Sequence, residues 1–112
     1  MTEHQLQAEC VQWFWNTYPT WRRMLVHVDN NSSNRIEGNK KKALGVVSGP
    51  SDLILISVRA VFFVELKVGS NTQSPEQKDF QAKVEARGHK YIILRTFQEF
   101  KDFICNTIGS DW

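Results

Sequence analysis

Residues 52–67 read DLILISVRAVFFVELK, and this stretch decides the fold. Asp52–Val58 and Val61–Lys67 are short runs rich in Ile, Val and Phe, residue types that favour strands. Only Arg59 and Ala60 separate them, which predicts a β-hairpin with a two-residue turn. Both faces of both runs are apolar, so the pair is expected at the centre of a sheet covered on both sides. Asp52, Glu65 and Lys67 break that apolar pattern. A buried charge without a partner costs several kcal/mol, so these three need one another or a metal. With Val58 facing Val61, Asp52 falls opposite Lys67, and Glu65 is its diagonal neighbour on the same face. Two carboxylates so placed can share one divalent cation, with Lys67 projecting beside it. The plainer reading makes Asp52 a strand-end cap and Glu65–Lys67 an edge-strand ion pair.

Outward from the hairpin, the elements follow by local chemistry. Thr2 to Tyr18 reads as a helix opened by a Thr2–Gln5 capping box, and Pro19 ends it. Leu6, Cys10, Trp13 and Phe14 fall on one apolar stripe of that helix. Met24–Asp29 is a short strand. After the hairpin, Ser74-Pro75-Glu76-Gln77 is a strong helix start, with Ser at the cap and Pro at the first helical position. That helix runs to about Arg87 and stops at Gly88. His89–Leu94 is a further strand, and Thr96–Glu99 is a capping box opening a last helix to about Thr107. The order is α-β-β-β-α-β-α: an α/β domain with a central mixed sheet flanked by helices.

The chain has 112 residues and is expected to form a single domain, 1–112. Its 14 Lys and Arg against 12 Asp and Glu leave a net charge of +2, so bulk charge alone announces no nucleic-acid partner. A hydrophobic fraction of 41% excludes a disordered chain. The longest apolar runs, Leu53–Ile56 and Val61–Val64, are far too short to cross a bilayer. The N-terminus lacks the basic-then-apolar order of a signal peptide. Cys10 and Cys105, without a CxxC spacing, are expected to be reduced, intracellular and packed as small hydrophobes.

The positive charge is concentrated in residues 30–50, where Arg35, Lys40, Lys41 and Lys42 against Glu37 give a local net charge of +3. A basic stretch in so long a loop is either a solvated surface or a clamp for phosphates. Trp15 projects from the far side of the first helix, as a subunit interface or base-stacking surface would. No residue set has the spacing of a Ser-His-Asp triad, a GxGxxG turn or a P-loop.

Pro50-Ser51-Asp52 followed by Glu65-Leu66-Lys67 resembles the signature of PD-(D/E)xK nucleases. More narrowly, the chain resembles a stand-alone VRR-NUC domain. The resemblance rests on a helix glutamate, Glu9, the approach Gly45-Val46-Val47-Ser48-Gly49-Pro50-Ser51-Asp52-Leu53, the Glu65-Leu66-Lys67 triplet and the helix start with Gln77. Ser51, between Pro50 and Asp52, is one departure from the pattern.

The resemblance implies a restriction-endonuclease-like core and a metal-dependent DNA nuclease. Asp52, Glu65 and the main-chain carbonyl of Leu66 would be metal ligands, with Glu9 completing the set. Lys67 would place the attacking water and stabilise charge on the phosphate, and Gln77 would reach a site water. Mg²⁺ is the implied metal, with Mn²⁺ able to substitute. His27 and Asn30 would play supporting parts, although a lone His in a strand is more often a satisfied core residue. Arg35, Lys40, Lys41 and Lys42 would hold DNA.

The implied substrate is branched DNA, as for a Holliday-junction resolvase. The implied assembly is a homodimer, and the implied setting is the cytoplasm of a bacterial or phage-infected cell. Two rivals share parts of this reading. One is a non-catalytic nucleic-acid-binding module, and the other a sequence-specific restriction-like endonuclease.

Overall fold

The computed structural model describes residues 1–28, 39–40, 43–45 and 51–109. Asn30, Arg35, Lys41, Lys42 and Pro50 lie outside the described residues.

Helix α1 spans Glu3–Thr17. Its capping box is complete: Thr2 Oγ1 accepts the Gln5 N–H at 3.1 Å, and Gln5 Oε1 accepts the Thr2 N–H at 2.7 Å. Pro19 ends the α-helix by starting a 3₁₀ segment, Pro19–Met24, which leads into strand β1, Leu25–His27. Strands β2, Leu53–Ile56, and β3, Val61–Leu66, form the hairpin. Helix α2 spans Pro75–Ala86, strand β4 Lys90–Leu94 and helix α3 Phe97–Ile108. Ser74 and Gln77 form the expected capping box of α2. Gly88, at φ +82°, supplies the left-handed turn from α2 into β4.

The start of α3 differs from expectation. Thr96 Oγ1 caps the Glu99 N–H at 3.0 Å, but the Glu99 carboxylate reaches past the cap to the Arg95 N–H at 2.8 Å. The helix has an N-cap without the reciprocal bond of a capping box.

The sheet order is β1-β2-β3-β4, with β1–β2 and β2–β3 antiparallel and β3–β4 parallel. Helix α2 is the crossover that a parallel pair requires. The hairpin strands are central, as the two-faced apolar pattern demands. Leu53, Leu55, Val64, Leu66 and Leu94 turn to one face and are buried with Leu6, Cys10 and Phe14 of α1 and Phe100 and Ile104 of α3. Phe62 meets Phe103 edge-on at 5.2 Å. On the other face Phe80 of α2 meets Phe63 at 5.7 Å and Tyr91 at 6.3 Å. Helices thus cover both faces, which confirms the layered α/β reading.

The hairpin turn is longer than expected. Ile56 pairs with Val61, so Ser57–Ala60 form a four-residue loop. A two-residue turn needs positive φ, which Arg59 and Ala60 resist. Among the described residues only glycines have positive φ. Ser57 closes the longer loop instead: its N–H and hydroxyl donate to the Ala60 carbonyl at 2.9 and 2.6 Å, and its Oγ accepts the Ala60 N–H at 3.2 Å. The pairing shifts by two residues, an even number, so every side chain keeps its expected face.

Cys10 is buried, and burial, helped by the charge of Glu9, pushes its thiol up to about 12. Cys105 is exposed rather than packed in the core, and both cysteines are free. Trp15 is exposed on α1 as its helical angle requires, whereas Trp13 packs among Tyr18, Phe97 and Phe100. No helix among the described residues is long and apolar enough to cross a membrane.

Candidate active site

The two-residue shift in the hairpin rearranges the charged positions. The Leu53–Val64 pairing, continued one step, sets Asp52 across from Glu65 instead of Lys67. Both carboxylates lie on the face covered by α2. The Leu66 N–H donates to Asp52 Oδ2 at 2.7 Å and fixes the carboxylate where β2 begins. Ser51, the departure from the nuclease pattern, is fully buried, and its hydroxyl donates to the Leu53 carbonyl at 3.1 Å. It braces the approach to Asp52.

Glu65 is 0% exposed in the middle of the sheet. One of its oxygens is doubly held: Oε1 accepts the Tyr91 hydroxyl in a short bond and the Gln73 amide at 3.0 Å. The other, Oε2, is buried and has no hydrogen-bond partner. Lys67 Nζ stands 3.7 Å from it. A buried acceptor left unbonded costs about 1–3 kcal/mol, and more when charged. Lys67, itself 7% exposed, donates to Gln77 Oε1 at 2.9 Å. Gln77 sits at the first turn of α2, so the same side chain closes the helix cap and holds the lysine.

Burial pushes the Asp52 carboxyl above its ordinary 3.8, and the negative charges of Glu65 and Glu3 push the same way. The Leu66 N–H and the Lys67 ammonium pull back without cancelling them. Burial and then the bond to Glu65 raise the Tyr91 phenol far above its ordinary 10.0, so it remains a donor.

The candidate residues divide clearly. Asp52, Glu65, Leu66, Lys67 and Gln77 come together. Glu9 does not join them: it is exposed on α1 and lines a groove of about 620 Å³ with Met1, Val68, Arg95 and Phe97. The α1 carboxylate that does act on Asp52 is Glu3, which is half-buried and accepts the Asn71 amide at 3.1 Å. A signal for Glu3 existed. Seven residues before Cys10, it lies only about 20° around the helix from it, inside the buried stripe.

His27 touches the main chain of the site rather than its carboxylates. Its Nδ1 is 3.1 Å from the Asp52 carbonyl and 3.0 Å from Gln7 Nε2. Its pairing with Leu53 turns it toward α1, away from Asp52 Oδ2 and Glu65. Lys40 is exposed, and the other basic candidates and Asn30 lie outside the described residues. Gln73 and Tyr91 carried no local motif. Only the pairing of β4 beside β3, which sets Tyr91 level with Phe63, delivers the phenol to Glu65.

Among the described residues no group of three or more His, Cys, Asp or Glu gathers closely enough to hold a metal. Among the described residues the site thus holds two carboxylates, Asp52 and Glu65. Hard oxygen donors, one of them buried and unbonded, fit a small divalent cation such as Mg²⁺ or Mn²⁺, which keeps several waters.

No model of a protein family matches the sequence. No curated protein matches it either. A solved structure described as a VRR_NUC domain protein superposes with a TM-score of 0.79 at 20% sequence identity. The match covers 96% of this chain and 88% of that one. The chain therefore has the fold of a VRR-NUC domain.

Proposed function

We propose that the chain is a divalent-cation-dependent DNA nuclease, acting as a homodimer on branched DNA. The observation that carries this reading is the buried Glu65 carboxylate: its Oε2 has no hydrogen bond, the Lys67 ammonium stands 3.7 Å from it, and Asp52 lies across the hairpin from Glu65. A structural ion pair would satisfy both oxygens. A buried oxygen that has an ammonium near it but no hydrogen bond fits a cation ligand.

Asp52 and Glu65 would hold the cation, with the Leu66 carbonyl as a further donor. When bound, the cation supplies an activated water and polarises the phosphate. Lys67 would orient that water and meet the negative charge that develops as water adds to phosphorus and the leaving oxygen departs with a proton. Gln77 keeps the ammonium aimed. Arg35, Lys40, Lys41 and Lys42 would neutralise phosphates of the bound strand. His27 would support Asp52 through its main-chain carbonyl, with Asn30 following it in the chain. Glu3, rather than Glu9, is the α1 carboxylate whose charge acts on Asp52, and it would add to the negative potential around the cation.

Two active sites related by a two-fold axis would suit the paired nicks that resolve a four-way junction. The test is cleavage of a labelled four-way junction beside linear duplex and single strand, with Mg²⁺, Mn²⁺ or EDTA, repeated with Asp52→Ala. Paired metal-dependent nicks near the junction, lost in the variant, are expected. Cutting of all substrates alike would keep the nuclease and remove the junction preference. Cutting at one duplex sequence would favour a restriction-like enzyme. Tight, salt-dependent binding without cutting, unchanged by Asp52→Ala, would favour a binding module.

A further inference from the structure

The outer partners of Glu65 are lopsided. Tyr91 and Gln73 both bond Oε1, and neither bonds Oε2. Gln73 is held in turn by Gln81 of α2, whose Oε1 accepts the second Gln73 amide hydrogen at 2.9 Å. Tyr91 is held by its strand pairing and by the edge of Phe80. The arrangement thus comes from three elements: β4, the loop before α2, and α2 itself. Together they occupy one oxygen of a buried carboxylate and leave the other without a hydrogen bond.

Resting on the cation reading above, we infer that Tyr91 and Gln73 are positioning residues that make Glu65 a one-oxygen ligand and thereby set the site's preference for a small octahedral cation over Ca²⁺. The chemistry is direct. Mg²⁺ demands near-ideal octahedral geometry and takes carboxylates one oxygen at a time. Ca²⁺ accepts more oxygens in looser geometry, including both from one carboxylate. Two donors on Oε1 block the two-oxygen mode. They also fix the carboxylate plane, and losing such outer partners typically costs 10–100-fold in metal affinity.

The test is calorimetric titration of the DNA-free full chain with MgCl₂ and with CaCl₂. The proteins are wild type, Tyr91→Phe, Gln73→Met and Glu65→Gln. Wild type should bind Mg²⁺ the tighter, and Glu65→Gln should lose most binding of both. Tyr91→Phe and Gln73→Met should each weaken Mg²⁺ by about 10-fold while weakening Ca²⁺ less, so the ratio of affinities moves toward Ca²⁺. A merely structural role would weaken both ions together and leave that ratio fixed. An unchanged ratio in both variants, with wild-type binding that depends on Glu65, overturns the inference and leaves the nuclease reading intact. Absence of wild-type binding, or binding indifferent to Glu65→Gln, overturns both. If near-UV circular dichroism finds Tyr91→Phe unfolded, Gln73→Met decides alone, because it changes a loop side chain outside the core.

Discussion

Gln77 Oε1 accepts two hydrogen bonds of equal length: the Ser74 N–H at 2.9 Å and the Lys67 ammonium at 2.9 Å. One atom thus ties the start of α2 to the lysine of the candidate active site. Gln77→Ala is expected to lose about 1–2 kcal/mol of stability as two acceptor bonds vanish. It should also lower cleavage by leaving Lys67 unaimed. Gln77→Glu keeps an acceptor for both donors and should retain the melting temperature. Thermal melts and single-turnover cleavage of the two variants check this, and equal loss in both would break the link.

Asp52 carries a stability cost with a definite sign. Its carboxyl sits above the ordinary 3.8 in the folded chain because burial and the charges of Glu65 and Glu3 disfavour the anion. The folded state therefore holds this proton more tightly than the unfolded chain does. The cost is absent below 3.8 and complete once pH exceeds the folded value. Asp52→Asn should then be more stable than wild type near pH 7, with its advantage shrinking toward about pH 4. Urea midpoints across that range measure the effect. The same variant should be inactive, since the amide is a poor cation ligand.

Adding a divalent cation is expected to reverse the ranking of wild type and Asp52→Asn. A ligand that binds only the folded state adds about 1.4 kcal/mol at ten times its Kd. Wild type should gain this with Mg²⁺ or Mn²⁺ and lose it with EDTA, whereas Asp52→Asn and Glu65→Gln should gain little. Melting curves at graded cation concentration decide it. An equal shift in all three proteins would place the binding elsewhere.

Much of this was legible in the sequence because it depends on local chemistry. The Thr2–Gln5 and Ser74–Gln77 caps are closed within four residues, and the structure keeps both. The alternation around Leu53, Leu55, Val64 and Leu66 fixes the faces of the hairpin even though its register slips by two. The slip itself was hidden, because the Ser57 hydroxyl competes with the turn that strand spacing suggests. Glu9 stood out by analogy, whereas the charge of Glu3 acts on Asp52 through the docking of α1, which no short window contains. Tyr91 and Glu65 are 26 positions apart and meet only after the β3–α2–β4 crossover forms.

Lys67 separates a nuclease from a binding module most cleanly. Its Nζ is 3.7 Å from Glu65 Oε2 and donates to Gln77, so Lys67→Met removes the charge while filling most of the same volume. In a nuclease, a positioned cation that meets charge developing on phosphate contributes on the order of 10²–10³ to the rate. Cleavage by Lys67→Met should fall by about that factor, with junction affinity nearly unchanged. In a binding module the buried ammonium contributes only packing and pairing, so any change would fall on affinity or stability and none on cleavage. Gel-shift titration and single-turnover cleavage on one preparation give both numbers. Folding is checked in the same tube by the far-UV signal. A variant that folds, binds and still cuts at the wild-type rate would remove Lys67 from the chemistry and leave its bond to Gln77 as a helix-start brace.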